Sequence, residues 1–290
     1  MKIKPVHIVV DGPCPNKCPF CISKMNSLNN VLSVDDVNEK DVLKRMMFAR
    51  QNGFNVLCLT GTGEPLCRDS LATTTNLLLL NNQLKEEMRF NWVEVQTSGA
   101  CSDGRVVDEL MRLKVSVVGI SVADPFDDAN NAEIMKAPEK NQFELSGLCR
   151  SLKGKCITRL IINLTENVFA EKKPSHLLKR AEELGIDQIT IRKLLYDRSS
   201  DSYHNKWVRE NAQCNDIFAD WQEFVQENGD PIFICSNGNI AYDINGFTIM
   251  LDDPGSRAVP DKAEREIGTL IIRENGRCYT RWDYEGSVLF

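Results

Sequence analysis

The sequence predicts an α/β fold: a parallel sheet built from six strand–helix repeats over residues 1–195, then a helical and antiparallel β-hairpin region over 196–290. Short β-branched runs alternate with stretches of helical period. Several of the strands are apolar almost without a break, as expected where helices cover a sheet. Beyond residue 195 the alternation stops, and three Asn-Gly pairs stand between strand-like runs.

Residues 6–10 (VHIVV) form the first strand, ended by Asp11-Gly12-Pro13. A helix over 34–51 follows, capped by Ser33 or Asp35 and stopped by Gly53. Residues 55–60 (NVLCLT) form the second strand, halted at Gly61, and 69–88 a long helix whose leucines 77–80 imply burial on more than one side. The third strand is 92–96, and the helix over 105–113 aligns Val106, Leu110 and Leu113 on one face. Residues 115–122 (VSVVGISV), a helix over 141–152 and residues 156–164 (CITRLIINL) continue the pattern. A helix opened by Pro174 and stopped by Gly185 leads to the sixth strand, 188–194 (QITIRKL). Repeats of this kind imply right-handed parallel crossovers, while periodicity leaves open whether the sheet closes. Residues 203–228 read as helical. Asn237-Gly238, Asn245-Gly246 and Asn275-Gly276 read as hairpin turns, because both residue types accept positive φ. The tail is thus expected to be a small antiparallel sheet attached to the parallel unit.

The 290 residues are 42% hydrophobic and 26% charged, which excludes wholesale disorder, a collagen-like repeat and a disulfide miniprotein. No run approaches the roughly 18 apolar residues of a membrane span. The apolar run Ile8-Val9-Val10 is too short for a secretion signal, so the expected compartment is the cytoplasm and no membrane partner is expected. A net charge of -6 argues against a nucleic-acid partner.

Eleven cysteines, an odd count in a chain with no export signal, argue against a disulfide framework. Three crowd into Cys14-Pro-Asn-Lys-Cys18-Pro-Phe-Cys21. The others (Cys58, Cys67, Cys101, Cys149, Cys156, Cys214, Cys235 and Cys278) are scattered, several where a thiol packs as a small hydrophobe. Three thiolates on one short loop suit an iron–sulfur cube with three irons held by protein and the fourth open to a small ligand. A zinc site completed by His7 or a distant cysteine is a competing reading, though no fourth Cys or His lies at zinc-finger spacing. A structural or electron-transfer cluster is another.

The triplet resembles the signature of the radical S-adenosylmethionine (SAM) superfamily, CxxxCxφC with an aromatic at φ: here Cys14, Cys18, Phe20 and Cys21. A second likeness supports it. Gly61-Thr62-Gly63-Glu64-Pro65 resembles the family's Gly-Gly-Glu-Pro turn at the end of the second strand. A glycine-rich bend there exposes backbone carbonyls and Glu64 to the ammonium of SAM. A purely structural cluster has no need of such a turn. The resemblance covers roughly residues 6–195. It implies a partial parallel (βα)6 barrel, a [4Fe-4S] cluster on Cys14, Cys18 and Cys21, and S-adenosyl-L-methionine as second cofactor.

The same resemblance implies further roles. Thr97 or Ser98, in Gln96-Thr97-Ser98-Gly99, would lie near SAM or substrate. Ser121 would meet the SAM carboxylate or ribose, Asn163 the ribose, and Ile191 the adenine. Where many relatives place an arginine for the carboxylate, this sequence has Lys136, a point charge without a bidentate fork; Arg159 is the alternative. The implied reaction is reductive cleavage of SAM to a 5′-deoxyadenosyl radical that abstracts hydrogen from a substrate. Such an enzyme is oxygen-sensitive and draws on an external one-electron donor of flavodoxin or ferredoxin type.

Cys214, Cys235 and Cys278 are too widely spaced in sequence to announce a second cluster. Cys235 and Cys278, each beside a hairpin turn, are candidate hydrogen-atom donors. Arg192-Lys193 ends the sixth strand, and strand C-termini face the active site in such barrels. A nucleotide or other small anionic metabolite is therefore favoured as substrate. The alternative is a peptide or protein (epimerisation, cyclisation or glycyl-radical activation), for which an appendage ahead of the first strand is expected.

Overall fold

The computed structural model describes all residues except 1, 26–36, 198–199, 213, 236–237, 254–266 and 283–284. A two-residue strand, β1 (Lys2–Ile3), precedes the six predicted ones: β2 (Pro5–Val10), β3 (Val56–Gly61), β4 (Trp92–Thr97), β5 (Val117–Val122), β6 (Ile157–Asn163) and β7 (Gln188–Arg192). Each of these six pairs in parallel with the next.

The helices between them are α1 (Ile22–Met25), α2 (Glu39–Gln51), α3 (Arg68–Gln83), α4 (Gly104–Arg112), α5 (Asp128–Ile134), α6 (Leu145–Leu152), α7 (Glu166–Phe169) and α8 (Pro174–Leu184). Ser33 and Asp35, the expected caps of α2, lie outside the described residues. Its cap is Asn38, whose side chain accepts the Asp41 N–H at 3.1 Å. Helix α3 stops at Gln83, short of the expected 88, where Leu84 turns extended. Helix α6 begins at Leu145 rather than 141, after a 3-10 turn. Helix α5 has no counterpart in the predicted elements; Asp127 caps it by accepting from the Ala129 and Asn130 N–H groups.

The tail differs from expectation. Its helical stretch is two helices, α9 (Tyr203–Asn211) and α10 (Asn215–Asn228), because the chain bends where Ala212 and Cys214 sink into the core. The strands β8 (Asp230–Cys235), β9 (Ile240–Ile244), β10 (Phe247–Asp252), β11 (Leu270–Arg273) and β12 (Cys278–Tyr279) do make antiparallel hairpins. Asn245 and Gly246 take the positive φ that such a turn requires, 54° and 88°; Asn237 lies outside the described residues. These hairpins do not form a separate sheet. β10 pairs in parallel with β7, and β11 in parallel with β2, giving one sheet of order β1-β8-β9-β10-β7-β6-β5-β4-β3-β2-β11-β12. The reason is physical: β2 and β7 would otherwise present unpaired backbone edges, and the tail pairs with both.

Alternation along each strand separates two faces. One packs Val6, Ile8, Leu57, Leu59, Ile120 and Ile162 against the helices. The other, the inner face, carries His7, Cys58, Glu94, Arg159, Gln188 and Arg192, and it curls inward. In a flat sheet β3 and β7 would stand about 19 Å apart, at about 4.8 Å per strand. Yet Cys58 on β3 lies within electrostatic range of Arg192 on β7: burial raises its thiol, Glu94 adds to that, and Arg159 and Arg192 oppose it. No helix among the described residues is long and apolar enough to cross a membrane.

Candidate active site

The C-terminal ends of β2, β3 and β4 meet at one rim. Gly63 lies against the chain leaving β2: a Cβ there would overlap the Gly12 carbonyl oxygen and sit 2.6 Å from that of Pro13. Only glycine permits this approach. Three hydrogen bonds clasp the two segments: Thr62 N–H to the Val10 carbonyl (3.1 Å), Glu64 N–H to the Pro13 carbonyl (3.2 Å) and Thr62 Oγ1 to Asp11 Oδ1 (2.8 Å). The turn after β3 therefore sets the base of the cysteine loop.

Glu64 is 2% exposed, and its carboxylate is fully engaged. Oε1 accepts from Thr97 Oγ1 (2.6 Å) and the Leu66 N–H (3.2 Å), while Oε2 accepts from the Ser98 N–H (2.7 Å) and Ser98 Oγ (2.6 Å). Charge-assisted bonds of this kind make the carboxylate a rigid strut between the loops after β3 and β4. A disulfide, Cys67–Cys101, ties the same two loops, its Cα atoms 5.0 Å apart. The sequence argues against a disulfide framework, and the scattered cysteines read mostly as packing residues; for Cys67 and Cys101 that reading is corrected, because close packing of these two loops brings them together.

Cys14, Cys18 and Cys21 lie on one loop that ends in α1. Burial pushes the Cys18 thiol above the ordinary range, and Cys21 and Cys14 raise it further. Burial also pushes Cys14 up to about 11. The three thiols therefore share one neighbourhood. Among the described residues no three His, Cys, Asp or Glu side chains converge as metal ligands. The donor set nonetheless fits an iron–sulfur cube: three thiols, deprotonated as metal binds. Beside them Asn16 Oδ1 is buried with no hydrogen-bond partner among the described residues, and Asn16 lines a small crevice with Ser98, Asn131, Met135 and Phe143. Such an orphaned atom marks a place for a ligand's donor.

The tail covers this loop. His204 Nδ1 on α9 lies 2.8 Å from the Pro19 carbonyl, and the Trp207 ring packs on Phe20 at 5.6 Å between centroids. Met135, just past α5, brings its sulfur 3.7 Å from Cys18 Sγ. None of His204, Trp207, Met135 or Asn16 was legible as a site residue. Their relation to the cysteine loop is long-range, and Asn16 alone, lying within the motif, carried a local signal.

Residues 11–169, more than half of the chain, match the family described as the Radical SAM superfamily. The chain belongs to the radical SAM superfamily. Its members are enzymes that use a [4Fe-4S] cluster and SAM. Among solved structures, Streptococcus suis SuiB bound to S-adenosylmethionine superposes with a TM-score of 0.63 at 17% identity, over 98% of this chain and 61% of SuiB. The same protein bound to its precursor peptide SuiA gives 0.58 at 16%, over 98% and 60%. Native anSMEcpe with bound AdoMet and a Cp18Cys peptide gives 0.56 at 12%, over 97% and 74%. At these identities the likeness is one of fold, the partial barrel. The chain spans about three fifths of the length of SuiB. No curated protein matches the sequence.

The remaining predicted site residues fall at different depths of this radical SAM fold. Ser121 is half-buried on the inner face of β5, and Asn163 ends β6, buried, in register with Arg192. Lys136 holds a left-handed φ of 47° and donates to the Tyr203 hydroxyl at 2.6 Å, so its ammonium is turned to α9. Arg159 sits low in β6. Its guanidinium donates to Glu94 Oε2 (2.6 Å) across β5 and twice to Gln188 Oε1 (2.9 and 2.7 Å) on β7. That guanidinium is committed to the wall.

Two expectations are corrected by strand alternation. Ile191 is fully buried on the helix side of β7, so it cannot reach an adenine on the inner face. Cys278 is register-paired with Ile272, whose face packs against Val42 and Met46 of α2, and so its thiol is turned away from the inner face. Cys235 differs: it ends β8, half-buried, with its sulfur 3.5 Å from Met250 Sδ and within electrostatic range of Arg159 and Asp252.

Proposed function

We propose that the chain cleaves SAM reductively and uses the 5′-deoxyadenosyl radical to abstract a hydrogen atom from a small anionic metabolite held against the inner face. When bound, the reduced cluster supplies the electron that breaks the sulfonium carbon–sulfur bond and so generates the radical. The chain's own residues do the rest. Cys14, Cys18 and Cys21 hold the cluster. The Gly61–Pro65 turn, fixed by Glu64, Thr97 and Ser98, presents backbone acceptors and Asn16 Oδ1 to the SAM ammonium. Ser121 and Asn163 face its carboxylate or ribose. Residues 1–195 carry the cofactors; residues 196–290 cover the cysteine loop through α9 and supply Cys235 as the candidate hydrogen donor. A cytoplasmic flavodoxin or ferredoxin fits as the electron source.

The observation that carries the substrate class is the chemistry of the inner face. Glu94, Arg159, Gln188, Arg192 and Asp252 line it. A wall of charged and amide side chains suits a polar, charged molecule, because an apolar one would strip their remaining hydration without replacing it. A peptide substrate is the second reading, favoured by the fold shared with SuiB bound to its precursor peptide and anSMEcpe bound to a peptide. The two separate in one assay: formation of 5′-deoxyadenosine, with nucleoside phosphates and short dicarboxylic acids in one arm and a peptide library in the other. Stimulation by the small anions is expected. Stimulation by peptides alone overturns the small-molecule reading.

A further inference from the structure

We infer that Arg192 is the anchor for an oxyanion of the substrate, a carboxylate or a phosphate. The inference rests on the proposed small-anion reading and names the group that would bind.

Arg192 ends β7 on the inner face, in register between Asn163 on β6 and Asp252 on β10. Its Nε donates to Asp252 Oδ2 at 3.0 Å. Asp252 is itself 8% exposed, and its other oxygen accepts from Asn239 Nδ2 at 3.1 Å. The carboxylate is thus held from a second side and fixes the guanidinium by its inner nitrogen. Among the described residues the two terminal amino groups have no hydrogen-bond partner, and about a third of the side chain is exposed (35%). An arginine oriented through Nε, with its outer nitrogens free, is set for the bidentate geometry that carboxylate and phosphate share. Asn163 beside it is buried, and among the described residues its side chain has no hydrogen-bond partner either.

The other arginines of the inner face are not available in this way: Arg159 is consumed by Glu94 and Gln188, and Arg273, in register with Val9 on β2, is buried and paired with Asp11 at 3.4 Å. Lys193 is no substitute. Its ammonium pairs with Asp253 at 3.5 Å and lies 5.6 Å from the Phe218 ring centroid, on the side of α10. Of the sequence pair Arg192-Lys193, only the arginine faces the cup. Asp252 comes from the tail and reaches Arg192 only because β10 pairs with β7, so the anchor is built by the added strands.

The test is protection of Arg192 from phenylglyoxal, an arginine-directed dicarbonyl, in the reconstituted holoenzyme with SAM, read by peptide mass spectrometry. Inorganic phosphate and succinate are the two probes. Arg105, with a side chain 93% exposed, is the internal reference. At a probe concentration about nine times its Kd, Arg192 labelling should slow about ten-fold while Arg105 is unaffected. Protection by phosphate alone supports the anchor and makes the substrate a phosphate; protection by succinate alone supports it and makes the substrate a carboxylate. Labelling of Arg192 at the same rate with either probe, or slowed only in step with Arg105, overturns the inference. SAM cleavage in the same preparation separates this failure from failure of the underlying reading.

Discussion

At Gly63 a single methyl group decides whether two loops can meet. Its absence lets the turn after β3 press on the Gly12 and Pro13 carbonyls, from which the cysteine loop departs. Gly63→Ala should therefore leave the far-ultraviolet circular dichroism of the fold intact. It should lower 5′-deoxyadenosine formation about ten-fold or more, equivalent to at least about 1.4 kcal/mol of lost stabilisation. A second residue-level prediction concerns Glu274. Burial holds its proton up to about 7; the N–H of Asp11, donating at 3.0 Å, works the other way, and the Asp11 carboxylate adds to the rise. In the unfolded chain the same carboxyl ionises near its ordinary value, about 4.3. Between those values the folded state binds more protons. The stabilisation is thus complete below about pH 4.3 and lost as pH rises through about 7, at no more than about 1.4 kcal/mol per pH unit. Denaturant titrations across this window should show that slope, and Glu274→Gln should flatten it. The cysteine triplet and the Gly61–Pro65 turn were legible because their chemistry is local: three thiols in eight residues, a glycine turn in five. Glu274 was not, since its partner Asp11 is 263 residues away.

Between elements, two devices tie loops and strands that sequence spacing does not relate. The Cys67–Cys101 disulfide closes a 34-residue separation across the loops that Glu64 also bridges. Chain entropy for a loop of that length is worth about 3–4 kcal/mol, so Cys67→Ser should destabilise the fold by roughly that amount in urea unfolding. Wild-type protein in a strong thiol reductant should match it. On the inner face Glu94 and Arg159 form a buried ion pair at 2.6 Å across β5. Removing one partner strands the other charge. Arg159→Met should cost about 3–5 kcal/mol, whereas Glu94→Leu combined with Arg159→Met should recover much of the loss. In the sequence both residues read as polar positions within strands. Only the register of β4, β5 and β6 shows that they meet. Helix α5 escaped for a related reason: seven residues with three polar ones at its start carry little periodic signal.

Across the whole molecule, the strand–helix alternation was readable for the six central strands because each is a compact apolar run. Where the tail goes was not readable. Asn-Gly turns announce hairpins, but nothing local says that β10 and β11 will pair in parallel with the edges of β7 and β2. That closure carries Asp252 to Arg192 and Glu274 to Asp11, and α9 from the same tail brings Trp207 to Phe20. The C-terminal third is thus structurally continuous with the cofactor end of the sheet. The account's central claim is that the cysteine loop, clasped by the Gly61–Pro65 turn, makes a SAM-cleaving centre. The most direct measurement is 5′-deoxyadenosine production by anaerobically reconstituted protein given dithionite and SAM, beside a Cys18→Ala control. The account predicts product from the wild-type chain, with about four irons bound, and none above background from the control. A fully loaded wild-type protein that yields no more than Cys18→Ala would contradict it.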